Sequence, residues 1–235
     1  MTDKDLPSAV APPHSTASEV AQFLRKTART PVAAQPRGRL IFALDATASR
    51  QPTWDRACQL QGDMFAATAE IGGLAVQLVW YRGYGEFQVE PWLSELTDLQ
   101  RRMSSVQCRG GLTQIGRVLE QAIHETRLHR VNALVLVGDC LEEAVDPLCH
   151  QAGQLRLLGV PAFIFQEGKD PDAALGFQEI ARLTRGAYCA FSSGSARQLR
   201  DLLAAVAVYA VGGRPALEEF SRRHGGLIRQ LTRQL

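Results

Sequence analysis

Asp45, Thr47 and Ser49 alternate along Asp-Ala-Thr-Ala-Ser, Thr113 follows Gly110, Gly111 and Leu112, and Asp139 closes Val-Gly-Asp. Two carboxylates and three hydroxyls form a set of hard oxygen donors, suited to Mg²⁺, Mn²⁺ or Ca²⁺ rather than to zinc. On a loop leaving a strand, alternate positions can direct one carboxylate and two hydroxyls at a single point, which is half a coordination sphere. Thr113 adds a hydroxyl from a loop whose glycines let backbone approach closely, and Asp139 adds a second carboxylate. Two carboxylates balance a divalent ion. Neutral hydroxyls supply the rest, so the ion stays electrophilic and its sixth position can accept a carboxylate from a partner.

These residues can meet only if the elements before them run side by side. Asp45 follows the apolar run 40–44, Asp139 follows the apolar run 133–137, and Thr113 opens a strongly periodic helix. In a parallel sheet all three reach the edge where strand carboxyl ends and helix amino ends converge, which is where open α/β sheets place ligands. The remaining pattern supports such a sheet. Strands are expected over 40–44, 74–81, 131–137, 160–165 and 187–191, with helices from Pro52 and over about 146–158, 171–184 and 196–209. The helix from Pro52 carries Ala57, Leu60, Met64, Ala67 and Ile71 on one face, and the helix after Thr113 carries Ile115, Val118, Leu119, Ala122 and Ile123.

A further β-rich stretch, 86–89, follows the strand 74–81 after only Arg82-Gly-Tyr-Gly85. So short a link permits a hairpin and excludes a parallel crossover. The expected architecture is therefore a doubly wound, mostly parallel six-stranded α/β sheet with one antiparallel edge strand and helices on both faces. Residues 1–38 read as a flexible tail with a short amphipathic helix, introduced by the capping box Thr16-Ala-Ser-Glu19 and ending near Lys26. Residues 39–211 form the domain. Gly212-Gly-Arg-Pro215 breaks the chain before a basic helical tail, 212–235, that contains Leu217 and Phe220.

The motifs resemble those of the von Willebrand factor A family with its metal-ion-dependent adhesion site. That family's Asp-x-Ser-x-Ser corresponds to Asp45, Thr47 and Ser49, its threonine after paired glycines to Thr113, and its strand-ending aspartate to Asp139. The single reversed strand agrees as well. Three departures stand out: Thr47 replaces a serine, Leu112 intervenes before Thr113, and Cys140 replaces a glycine, with Glu142 and Glu143 close behind. The resemblance implies a bound Mg²⁺ (or Mn²⁺ or Ca²⁺) completed by an Asp or Glu of a protein partner, and no catalysis. Intracellular members commonly work beside AAA+ ATPases or in chaperone-like assemblies, and small stand-alone bacterial proteins of the group look most similar to this chain.

Other readings are weaker. Phosphotransfer through Asp45 resembles enzymes with Asp-x-Asp, but position 47 is a threonine, which is a poor general acid. No phosphate-binding glycine motif follows a strand. RNA or DNA binding is an alternative through the basic ends: residues 1–39 hold six Lys/Arg against three Asp/Glu, and residues 214–235 hold five against two. Five cysteines without a Cys-x-x-Cys pair suggest reduced thiols. The absence of a leader pattern and of a long apolar run suggests a cytoplasmic protein without a membrane span. His124, His129 and the Cys149-His150 pair read as helix surface, and Cys140 as small packing.

Overall fold

A computed structural model describes residues 38–51, 54–55, 73–191 and 196–235. The N-terminal helix expected after Thr16, the helix face running from Ala57 to Ile71, and Cys58 lie outside these residues. The described residues belong to one compact unit, Pro36–Leu235.

Its centre is a six-stranded sheet in the order β3-β2-β1-β4-β5-β6. The strands are β1 (Gly38–Asp45), β2 (Leu74–Arg82), β3 (Glu86–Leu93), β4 (Ala133–Gly138), β5 (Ala162–Glu167) and β6 (Ala187–Phe191). Every neighbouring pair is parallel except β2 with β3. The hairpin turn between those two uses Gly83 at φ 60° and Gly85 at φ 127°, conformations that a side chain would strain. β3 runs four residues beyond the expected 86–89, as far as Leu93.

The helices are α1 (Leu96–Ser104), α2 (Ile115–Leu128), α3 (Val145–Leu158), α4 (Pro171–Thr184), α5 (Ala196–His224) and α6 (Gly226–Gln234). Strand residues are buried on both faces with a period of two, as parallel sheets require. Leu40, Phe42, Leu44, Val135, Val137, Phe163 and Phe165 face a layer that includes Leu99 and Met103 of α1, Leu202 and Val206 of α5, and Leu231 of α6. Ile41, Ala43, Leu134, Leu136 and Ile164 face Val118 and Leu119 of α2, Leu155 of α3 and Phe177 of α4.

Local chemistry sets the helix ends. At α4, Asp170 accepts from the Asp172 and Ala173 N–H groups at 2.9 and 3.0 Å, and Pro171 occupies the first turn. α3 stops at Gly159, which takes a left-handed conformation at φ 74°. α1 was not expected. It buries only Leu99 and Met103, too few apolar positions for a clear periodic signal.

The segment 212–235 is helical and basic as expected, but it is not a detached tail. Gly213, at φ 66° and ψ −164°, is non-helical and divides α5 into two helices at the expected break, and Pro215 sits where the second half restarts. Leu217, Ile228 and Leu231 are buried in the core that includes β1 and β6. The Gln234 side chain accepts from the Tyr188 N–H at 2.9 Å and donates to the Tyr188 carbonyl at 3.0 Å, pairing with the backbone of β6. Leu231→Ala is therefore expected to cost about 2–5 kcal/mol in denaturant unfolding, as a core truncation does. A change under about 0.5 kcal/mol, the level of a surface site, would show that α6 is detached.

Candidate metal centre

The chain builds β1, β2 and β3 to one side and then crosses back to lay β4 on the other flank of β1. The gap beyond the carboxyl ends of β1 and β4 is thus a topological switch point. Leu44 of β1 pairs with Val137 of β4, so Asp45 stands level with Gly138 and Asp139 follows directly. A Cβ added to Gly138 would lie 3.6 Å from Phe177 and 4.0 Å from both the Asp45 Cβ and the Tyr81 hydroxyl, which places this end of β4 beside the Asp45 and Tyr81 side chains.

Asp45, Thr47 and Thr113 are 2%, 7% and 5% exposed. Asp139 is half-buried and Ser49 is exposed. Four of the five residues form one hydrogen-bonded chain. The Thr47 N–H donates to Asp45 Oδ1 at 2.7 Å, the Thr47 and Ser49 hydroxyls lie 3.4 Å apart, and Ser49 donates to Asp139 Oδ2 at 2.9 Å. Asp45 Oδ2 accepts from the Tyr81 hydroxyl at 3.3 Å. Asp139 Oδ1 is buried and has no hydrogen-bond partner among the described residues. Buried carboxylate oxygens without a donor are costly and rare.

Thr113 is tied elsewhere, to Glu142. Its N–H donates to Glu142 Oε2 at 2.8 Å, and its hydroxyl accepts from the Glu142 N–H at 3.0 Å. Glu143 caps the start of α2 by accepting from the Ile115 and Gly116 N–H groups at 3.0 and 2.8 Å. The two glutamates that follow Asp139 are therefore engaged with backbone, and they lash the Thr113 loop to the loop after β4. That loop also leans on the hairpin turn. The Leu112 N–H donates to the Gly83 carbonyl at 3.1 Å, and a Cβ on Gly111 would sit 2.2 Å from the same oxygen. Leu112, the residue intervening before Thr113, is half exposed. Arg82 donates to the Gln107 carbonyl and fixes the other end of the loop.

The local field is negative. Burial raises the Asp45 carboxyl above its ordinary range and Asp139 adds repulsion, opposed by hydrogen bonds from Thr47 and by the charge of Arg50. Burial and then Asp139 and Asp45 push the Cys140 thiol up to about 12, so it stays protonated and unreactive at neutral pH. The Tyr81 hydroxyl is raised well above its usual value, by burial first and Asp45 second, and remains a neutral donor.

Sequence reasoning passed over two contributors. Tyr81, read as core, lies opposite Asp45 in the β1/β2 register, which explains its contact with the carboxylate. Arg50, one residue past the Asp-x-Thr-x-Ser motif, is buried and pairs with buried Glu167 at the end of β5. A basic residue beside a motif that must be buried was the available signal. His124, His129 and His150 are exposed. Among the described residues no three His, Cys, Asp or Glu side chains gather as a metal cluster. The candidate set, with two carboxylates and three hydroxyls, is of a different kind.

No protein-family model and no curated protein matches the sequence. Solved structures do match in shape. The von Willebrand factor type A protein from Catenulispora acidiphila superposes with a TM-score of 0.62 at 15% identity, covering 75% of this chain and 43% of that one. The VWA domain of SpRpn10 matches with a TM-score of 0.56 at 14% identity, over 71% of this chain and 93% of that domain. An aerotolerance-related membrane protein from Bacteroides fragilis gives 0.53 at 16% identity, over 71% and 96%. The chain therefore has the fold of a von Willebrand factor type A domain, and it spans less than half the length of the Catenulispora protein. Among the described residues no helix is long and apolar enough to cross a membrane.

The Arg50 to Glu167 pair joins the motif loop to β5. Arg50→Ala strips a buried carboxylate of its guanidinium and is expected to cost about 3–5 kcal/mol in chemical unfolding. The double change Arg50→Met, Glu167→Leu should cost less than Arg50→Ala alone. A near-neutral Arg50→Ala would show that the pair does not hold the loop.

Proposed function

We propose that this domain is a divalent-metal-dependent protein-interaction module in which Asp45, Thr47, Ser49, Thr113 and Asp139 hold a Mg²⁺, Mn²⁺ or Ca²⁺ ion. The observation that carries this reading is the buried, unpartnered Oδ1 of Asp139, in a residue already hydrogen-bonded to the Asp45 loop through Ser49. A pair of carboxylates with one oxygen lacking a donor, beside the Thr47 and Ser49 hydroxyls, fits a hard cation. The ion would supply positive charge and an open position for an oxygen ligand.

The chain's own residues prepare that role. Asp45 and Asp139 bring the charge, and the Thr47 N–H orients the Asp45 carboxylate. Tyr81 holds its second oxygen with a neutral donor. Glu142 keeps Thr113 close to the loop that carries Asp139. Exposed Tyr84 and half-exposed Leu112 rise beside this edge and offer apolar surface to a protein ligand. In this reading the partner presents an Asp or Glu, and an assembly containing an AAA+ ATPase or a chaperone-like protein is the class to search. The role is binding and not catalysis, since Asp45 is buried with both oxygens accepting hydrogen bonds, which suits a ligand better than a nucleophile. Cytoplasmic placement belongs to the same proposal.

Thermal unfolding after chelation, repeated across a series of each ion, tests the reading. With a dissociation constant of about 1 mM, about 10 mM ion should stabilise the wild type by roughly 1.4 kcal/mol, or roughly 3–6 °C. Asp45→Ala should fold and show no shift. An equal shift in both proteins would remove the ion from this site.

A further inference from the structure

A second feature lies on the C-terminal helices. The second half of α5 and α6 border a shallow, open cavity of about 320 Å³ lined by Arg214, Ser221, Arg222, Arg229, Thr232 and Arg233. Its four guanidinium groups are not equally committed. Arg214 pairs with Glu218 at 2.7 Å and donates to the Leu235 carbonyl at 2.9 Å, while Arg222 and Arg223 share Glu219. Arg229 and Arg233 have no acidic partner among the described residues. They stand four apart on α6, where two like charges repel.

The rest of α6 increases this imbalance. Residues 225–235 contain no Asp or Glu, and the first turn of α6 has no acidic residue to complement its positive end. The Arg229 Nε lies 4.0 Å from where a Cβ on Gly225 would be, so this cation folds back toward that same end. Ser221, 6% exposed, lines the same cavity. Thr232 spends its proton on the Ile228 carbonyl at 2.6 Å.

We propose that this cavity binds the phosphate groups of a small polyphosphorylated ligand. Guanidinium forks match phosphate oxygens two at a time. A ligand with adjacent phosphates would neutralise Arg229 and Arg233 together, accept from the Ser221 hydroxyl, and complement the amino end of α6. The cavity's size suits a compact molecule, and the site is independent of the carboxylate cluster.

Titration calorimetry of the full chain with inorganic tripolyphosphate, at constant ionic strength, tests the assignment. Saturable one-to-one binding is expected, weakened at least about tenfold in Arg229→Gln, Arg233→Gln and more modestly in Ser221→Ala. Arg101→Gln, which removes an exposed charge on α1, should bind as the wild type does. The replaced arginines are surface residues flanking buried Ile228 and Leu231, and circular dichroism confirms that α6 persists. Absence of binding, or equal weakening in Arg101→Gln, would overturn the site. So would tight binding of an RNA oligonucleotide that tripolyphosphate fails to displace, which would assign the charge to nucleic acid instead.

Discussion

Two carboxylates that repel each other, Asp45 and Asp139, are held at one crevice, and much of this end of the molecule is arranged around that arrangement. Parallel pairing of β1 with β4 imposes it, because the register that buries Leu44 against Val137 also sets the two strand ends level. Burial raises the Asp45 carboxyl and the repulsion adds to it, and the compensation is local: an N–H from Thr47 and a hydroxyl from Tyr81 on Asp45, and a hydroxyl from Ser49 on Asp139.

The loops around the crevice are anchored by different kinds of contact. The motif loop is pinned from below by the buried Arg50 to Glu167 pair, which must be complete to be tolerable in a dry setting. The Thr113 loop is held by backbone contacts to the Gly83 turn and by the two glutamates after Asp139. Glu142 and Glu143 therefore act as tethers, and their acidity is directed at amide groups. Side chains on such restrained loops keep their separation.

The central strands were legible because burial on both faces leaves continuous apolar runs, and α4 was legible from its proline and its aspartate cap. Spacing picked out five candidate oxygen donors, of which four form one hydrogen-bonded chain, and the hairpin was legible from a link too short for a crossover. What was not legible depends on register. Tyr81 meets Asp45 only because β1 and β2 pair in one particular alignment, and Arg50 meets Glu167 across three strands. The segment after Gly212 was read as a tail because glycines and a proline resemble a boundary. In the fold Gly213 supplies a bend that returns Leu217, Ile228 and Leu231 to the core. α1 was missed because two buried residues on nine carry little periodic signal.

The amide of Gln234 has a consequence for how the sheet ends. An edge strand offers unpaired backbone to any extended chain that meets it, and proteins blunt such edges to stay apart from one another. On β6 the blunting is done by a side chain: Gln234 occupies both the donor and the acceptor of Tyr188, as a neighbouring strand would. The opposite edge, β3, carries an exposed proline, Pro91, and the charged Glu86 and Glu90. Both margins are thus closed to sheet extension, and copies of this domain cannot readily stack edge to edge.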